Sequence, residues 1–373
     1  MSKNFINFHV LISHSLSCLN RDDMNMQKTA VFGGTRRVRI SSQSLKRTLR
    51  KSKYYKQHFG EPSVRTLRLS DLKDRFVAAL AGRYDADLIE RVLTLLSDKK
   101  FDTPDVEGDA VMPWAAEEVA WYCEQVRQME AGGNKADAKD LAKEVKKNSA
   151  GLHQAIGNAL DIALSGRMAT SGLMSELGKV DGALSVAHVI TTHTVESDLD
   201  WFTAVDDLRD LGSGHLDTQE FSSGVFYRYA SLNIAQLQEN LGGVERQRVL
   251  EIAAHVLHML ATEVPSAKRG STAAFNLADL ALVSLSDLPV SLANAFEAPV
   301  RSKDQGRDVG FITPSIDKLH DYWERVHRGY GIDEHCAEFV LNPNPNSNST
   351  IDTLKRLDSL LELEAWLKKD GQE

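Results

Sequence analysis

The densest concentration of chemistry in this 373-residue chain is cationic. Between Met24 and Gly60 there is no Asp or Glu, while Lys28, Arg36, Arg37, Arg39, Lys46, Arg47, Arg50, Lys51, Lys53 and Lys56 supply ten positive charges. The chain as a whole has a formal charge of −8, so removing these ten leaves −18 on the rest. Like charges kept together repel unless something neutralises them, and the segregation predicts a polyanion site on an otherwise acidic body. The alternative is a solvated basic helix whose acids lie opposite in the fold.

Other residues are weaker candidates. Asp22-Asp23, beside Arg21, could hold Mg²⁺ near a phosphate and assist RNA cleavage, or simply cap their own loop. His255 and His258 stand three apart on a helical pattern, a spacing compatible with one metal, but no carboxylate motif accompanies them. Cys18, Cys123 and Cys336 lack any C-x-x-C pairing and read as reduced cysteines, so neither a disulfide framework nor a cysteine-based zinc site is expected. There is no Walker-type or dinucleotide glycine loop and no nucleophile elbow. The expectation is therefore a protein without catalytic residues, metal or cofactor. Trp201-Phe202 lies among Glu196, Asp198, Asp200, Asp206 and Asp207, which makes it a poor phosphate tracker. Two adjacent aromatics on a hairpin can still wedge between bases, where stacking gives roughly 1–3 kcal/mol per base; burial against the body is the competing reading.

These residues need elements to position them. Ile6, Phe8, Val10 and Ile12 alternate with Asn7, His9, Leu11 and Ser13, which predicts a half-buried strand. Val38–Ile40 reads as a short strand, followed by Ser41-Ser42-Gln43-Ser44, where a serine caps a basic helix running to about His58, its free amides suited to phosphate. Apolar spacings at Leu72/Phe76/Leu80, at Leu88/Val92/Leu95 and from Ala115 to Met129 predict a helical layer. Residues 134–148 read as an exposed helix with Lys135, Lys139, Lys143 and Lys147 in a stripe. Asp161–Met168 and Ala187–Thr194 resemble strands, 195–224 an acidic excursion, Ser223–Ile234 and Leu282–Leu285 strands, and Arg246–Val264 a helix. Asn342–Ser349 reads as a linker before an amphipathic helix through Ile351, Leu354, Leu357, Leu361 and Trp366. A composition of 42% hydrophobic and 26% charged residues, with mean hydropathy −0.30, is that of an ordinary globular protein. No apolar run nears the ~20 residues of a membrane span, and the N-terminus lacks signal-peptide character, so no membrane partner and a cytoplasmic location are expected.

Taken together, Phe5–His14, Cys18–Lys28, Arg36–Arg47, Asp161–Gly172, Asp200–Asp207 and Gln219–Tyr229 resemble CasC, the backbone-subunit family of the type I-E CRISPR Cascade complex, from Phe5 to about Tyr330. The resemblance implies an α+β fold. An RRM-like (ferredoxin-like) palm would be discontinuous over 1–60 and 161–340, with a thumb β-hairpin at 195–224, a helical finger insertion at 61–160, and a linker and C-terminal helix at 341–373. It implies a binding protein that polymerises head-to-tail along CRISPR RNA and presents it to a target DNA strand. Other Cascade subunits would complete the assembly and a recruited helicase-nuclease would destroy the target. On the matching positions Arg21, Lys28, Ser41, Gln43, Lys46 and Arg50 would hold guide phosphates. Met168, Phe202 and Thr203 would shape a kinked nucleotide position, with Trp201 completing the thumb wedge. The Lys135, Lys139, Lys143, Lys147 stripe suits non-specific contact with duplex DNA. Two alternatives stand beside this reading: a metal-dependent RNA-cleaving backbone subunit using Asp22 or Asp23, and an interaction protein with a basic docking helix.

Overall fold

The first strand, β1 (Phe5–Ser17), is buried on both faces from Ile6 to Ile12, where the alternation predicts one wet face. Its polar residues find partners instead of water. Asn7 Nδ2 donates to Leu288 O (3.1 Å) and Asn7 Oδ1 accepts from Tyr229 Oη (3.1 Å), while His9 Nδ1 and Tyr227 Oη are 2.7 Å apart. A buried polar group is tolerated only when so paired, and this pairing lets β1 run through the middle of a sheet. The computed structural model describes residues 3–133, 136–157, 159–169, 172–205, 213–304, 307–308, 310–343 and 354–372.

The chain divides into two compact units, one made of 1–52, 186–232 and 250–373, the other of 53–185 and 233–249. In the first, the mixed sheet runs Leu354–Leu357, His335–Val340, Leu280–Ser286, β1, Ser213–Asn233, Val189–Thr191, β3 (Thr35–Ile40) and β2 (Thr29–Phe32). β1 pairs antiparallel with Leu280–Ser286, from Phe5 opposite Ser286 to Leu11 opposite Leu280. Leu11, Tyr227, Leu280 and Leu282 pack with Leu319 and Trp323 of the helix Ile312–Tyr330. Beyond β1 the order leads to the basic hairpin β2–β3, turned by Gly33-Gly34. Both glycines have positive φ (58° and 72°), the backbone that a two-residue turn demands.

The helix after β3, α1 (Ser42–Lys51), is capped by Ser41, whose hydroxyl accepts from Ser44 N at 3.2 Å. The predicted run to His58 breaks at Ser52, which is extended (φ −65°, ψ 154°) and buried, and a separate helix, Lys53–Phe59, follows in the other unit. That second unit packs Leu72, Phe76, Val92, Leu96 and Tyr122 in one core, on helices Leu69–Ala79, Ala86–Ser97 and Ala116–Ala131. It extends past the expected 61–160. Asp161 accepts from Ser63 N (2.9 Å) and Ser63 Oγ (2.6 Å), and Asn240 Nδ2 donates to Ala163 O and Asp181 O (2.8 and 2.7 Å), so 161–185 and the helix Ile234–Asn240 stay with it. Asp161–Met168, expected as a strand, is the helix Leu160–Ser165, ended by Gly166 at φ 77°.

The terminal segment also differs from expectation. Leu354–Leu357 is a strand parallel to His335–Val340, and the helix starts only at Leu360, capped by Ser359; Ile351 and most of the linker lie outside the described residues. Glu338 fastens the added strand, accepting from Arg356 Nη2 (2.8 Å) and facing His320 Nε2 (2.7 Å). Glu364 pairs with His258 (2.8 Å). Residues 354–373 thus belong to the first unit rather than forming an appendage.

Burial holds two histidines neutral in this unit. It pushes the pKa of His9 down to about 4, and that of His14 to about 3 with help from the neighbouring Arg228 charge. An unfolded histidine binds its proton near 6.5, so the unfolded state takes up protons first and stability falls as pH drops below 6.5. The loss is about 1.4 kcal/mol per histidine per pH unit until the folded value is reached. Urea midpoints measured from pH 7 to pH 4.5 should fall steeply, and His9→Gln should reduce the slope by one proton's contribution.

Candidate nucleic-acid interface

The basic segment is organised by a residue the sequence reading passed over. Asn20 Oδ1 accepts from Ser41 N (2.8 Å), and Asn20 O accepts from Lys28 N (2.9 Å). One asparagine therefore joins the loop bearing Arg21 and Lys28 to the start of α1, which carries Gln43 and Lys46. The loop itself is closed by Asp22, whose Oδ1 accepts from Met24 N and Met26 N, both at 2.9 Å. That is the loop-capping role. Arg21 Nη1 reaches Asn25 Oδ1 (2.8 Å), and Gln27 N donates to Glu220 Oε2 (2.7 Å).

The ten charges are not equally available. Arg37 is fully buried, its guanidinium donating to Thr191 O (3.0 Å) and Phe296 O (2.9 Å), and burial lowers its pKa. Arg36 is exposed but paired with Glu220 (3.1 Å). Arg50 shares the buried face of α1 with Leu45 and Leu49 and is only 8% exposed, where the sequence reading counted it among the surface cations. Ser41 is buried and its hydroxyl is occupied by the cap. At the N-terminus of α1, Ser42 N donates to His188 Nδ1 (3.0 Å) and Leu45 N to Ser41 O (3.0 Å). The side chains of Gln43 (exposed) and of Lys28, Lys46 and Arg21 (half-buried) border this helix start or its adjoining loop, where the clustered positive charge and the helix dipole favour an anion.

In the other unit, Met168 is 82% exposed at the edge of a concavity of about 710 Å³, lined also by Gly166, Arg167, Ser175, Lys179 and Asp181. Its neighbour Arg167 is buried and bidentate to Glu118, with both N–O distances 2.6 Å, and also donates to Gly178 O (2.6 Å) and Pro113 O (3.3 Å). Burial by itself would depress the Arg167 pKa; Glu118 outweighs that and raises it. Arg167 and Val180 exchange backbone hydrogen bonds, and a Cβ on Gly166 would meet Val180 O at 2.8 Å. Met168 is thus presented by a rigid turn. Nothing in the sequence marked Glu118 as its anchor.

Asp198–Val205 pairs antiparallel with Ser213–Asn233, with Trp201 opposite Thr218 and Phe202 opposite Asp217. Trp201 is 66% exposed, which excludes the core reading for that residue. The side chains of Phe202 and Thr203, and residues 206–212, lie outside the described residues. The lysine helix, Ala138–Lys147, buries Leu141, Ala142 and Val145, so it is a packed amphipathic helix rather than a solvated one. Lys143 pairs with Asp140 (2.8 Å) and Lys147 with Glu144 (3.1 Å), acids expected to lie clear of the stripe. Lys139 is exposed, and Lys135 lies outside the described residues. His258 is engaged by Glu364, which gives it a structural partner in place of the metal considered from the sequence.

A protein-family model described as "CT1975-like protein" matches residues 6–366. A chain of a solved structure titled "CRISPR RNA-guided surveillance complex, pre-nicking" superposes with TM-score 0.78 at 28% identity, over 99% of this chain and all of that one. A chain of a "CRISPR RNA-guided surveillance complex" superposes with TM-score 0.59 at 24% identity, again over 99% and 100%, and shares the fold. No curated protein sequence matches. Among the described residues no helix is long and apolar enough to cross a membrane.

The two roles in the Met168 turn separate experimentally. Glu118→Ala leaves the Arg167 charge buried without its partner and should cost about 3–5 kcal/mol in urea unfolding. Met168→Ala, at an exposed position, should change stability by less than about 0.5 kcal/mol.

Proposed function

The chain belongs to the CT1975-like protein family, and from that premise we propose that it is the CRISPR RNA-binding backbone subunit of a type I-E Cascade surveillance complex. The observation that carries this reading is the Asn20-organised patch, which gathers Arg21, Lys28, Gln43 and Lys46 around one helix start while Asp22 Oδ1 is engaged by its own loop amides. Such a patch holds a backbone by charge and reads no base. Sequence discrimination is left to pairing between guide and target, the division of labour of RNA-guided effectors. The partners in this reading are CRISPR RNA, the target DNA strand, other Cascade subunits and a recruited helicase-nuclease, in the cytoplasm.

Copies assemble head-to-tail. A heterologous contact that does not close generates a helical filament, the form that can follow an extended RNA. An RRM-like palm supplies the sheet, and Trp201, exposed on its hairpin, supplies the wedge with Phe202 and Thr203, while Met168 shapes the neighbouring nucleotide position. The assignment is to binding rather than to hydrolysis by Asp22 or Asp23, a reading supported by the loop-closing contacts of Asp22 Oδ1.

The purified assembly should contain RNAs of one uniform length, and a heterogeneous or absent RNA would sink the proposal. In the same preparation Mg²⁺ should leave the RNA intact; cleavage lost in Asp22→Ala would favour the nuclease instead. Lys46→Ala should weaken guide binding equally for all sequences and flatten the slope of log K against log salt by about 0.7. Replacing Lys139, Lys143 and Lys147 together by alanine should spare guide occupancy and weaken capture of duplex target, most at low salt. Because two of the three are paired with acids, the effect should be modest, about threefold or less per residue on the scale of exposed ion pairs.

A further inference from the structure

At the foot of the helix Ile312–Tyr330, apart from the basic patch, three donors of different chemistry converge. His327 Nε2, a Glu334 carboxylate oxygen and Cys336 Sγ all lie within 4.8 Å of one another. They come from the end of the helix, the connecting loop and the strand His335–Val340. His327 Nδ1 is 2.7 Å from Trp323 O. A carbonyl only accepts, so Nδ1 carries the proton and Nε2 is the nitrogen turned toward Glu334, with which it pairs. A main-chain carbonyl fixing the far nitrogen is the usual second contact of a metal-binding histidine. Cys336 Sγ and Trp323 Nε1 each lie 3.2 Å from Glu334 Oε1.

The same carboxylate leaves an account open. The Glu334 side chain is 3% exposed; the Ser284 hydroxyl helps keep its carboxylate charged, yet its Oε2 makes no hydrogen bond of good geometry among the described residues. A buried carboxylate oxygen without a donor is uncommon and calls for a cation or a water. We propose that His327, Glu334 and Cys336 form a binding site for a single divalent cation of the zinc class, with a water completing a tetrahedron. Thiolate and carboxylate together carry −2, so the loaded site is neutral in a buried environment where net charge is costly. Without the ion, neutrality needs a proton on the thiol and a second on the imidazole. Loading therefore exchanges one M²⁺ for two protons released to solvent. Donors of this kind choose zinc or cobalt over magnesium, which takes oxygen ligands. Bonds of about 2.0–2.3 Å place tetrahedral ligands about 3.4 Å apart, so an entering ion would part the paired His327 and Glu334 and take up the proton-bearing contact between them. The site escaped sequence inspection because a single cysteine at spacing H-x6-E-x-C matches no zinc pattern.

The full-length protein, stripped by chelator and returned to metal-free buffer, is titrated with Co²⁺ and followed in the near-ultraviolet and visible. One equivalent should produce a thiolate-to-cobalt charge-transfer band, which Zn²⁺ then bleaches. Zn²⁺ should also raise the thermal midpoint of the wild type. Cys336→Ala should abolish the band, and His327→Gln should weaken Co²⁺ binding by about tenfold or more, which keeps the test open should the cysteine variant fold poorly. Folded wild type that gives no band at one equivalent overturns the proposal. So does a band that persists in Cys336→Ala, which would assign it to Cys18 or Cys123.

Discussion

The first unit depends on a guanidinium that is buried without a hydrogen-bonded carboxylate among the described residues. Arg37 is held by the carbonyls of Thr191 and Phe296, with Thr35 Oγ1 taking its Nε at 2.9 Å. Carbonyl dipoles satisfy its donors but do not cancel its charge. A carboxylate in their place would have neutralised the one region whose field is positive. The contacts also fix geometry, since they tie β3 to the strand Val189–Thr191 and to the turn at Phe296, and with β3 come the β2–β3 hairpin and the start of α1. Gly33 is a further consequence: a Cβ there would sit 1.7 Å from Glu297 O, so the hairpin can lie this close only without a side chain. Arg228 repeats the device, donating to Leu260 O and Glu263 O, and the desolvation that accompanies it lowers its pKa to about 10.

The second unit solves a similar problem in the opposite way. Arg167 is neutralised completely by Glu118, and its remaining donors go to the carbonyls of Gly178 and Pro113. A buried ion pair contributes little net stability against an apolar substitute, yet it tolerates almost no displacement once made. That intolerance explains its place beneath Met168. An exposed thioether on a loose loop would lose its orientation entropy at each binding event, whereas one held by a bidentate pair, a backbone bridge and a left-handed glycine is already in place. Lys179 and Asp181, of opposite charge, line the same concavity as Met168.

How much of this was legible follows from the range of each interaction. Ser41 announced its cap and the Leu72/Phe76/Leu80 spacing its helix, because both signals lie within one or two turns of chain. The acid-free run marked the basic segment for the same reason. Arg50 misled because its burial is decided by what packs on α1, and Asp161–Met168 because a short buried helix and a buried strand are equally apolar. Asn7 and His9 looked solvent-facing until Tyr229 and Tyr227, some 220 residues away in sequence, proved to face them. Asn20 and Glu118 were invisible, since neither residue type nor spacing distinguishes a polar side chain that organises a site from one that merely meets water. The helix predicted through Leu354 and Leu357 failed on the same ground: Arg356 and Glu338 make that stretch an edge strand, and their pairing is a tertiary fact.

The exposed apolar side chains close the physical argument. Trp201 and Leu199 share one face of a strand, and Met168 stands alone on its turn. Scattered apolar residues of this kind cost a free protein little. The acidic remainder works in the same direction, for −18 outside the basic segment repels both other copies and bulk nucleic acid at long range. Association in the proposed assembly must then be earned at short range. It requires RNA to neutralise the Asn20-organised patch and to bring a second acidic body near enough for rigidly held apolar groups to find their partners. A filament built that way forms on its guide and not in its absence, because the polyanion binds the basic segment of each copy in turn and holds successive copies together against that repulsion.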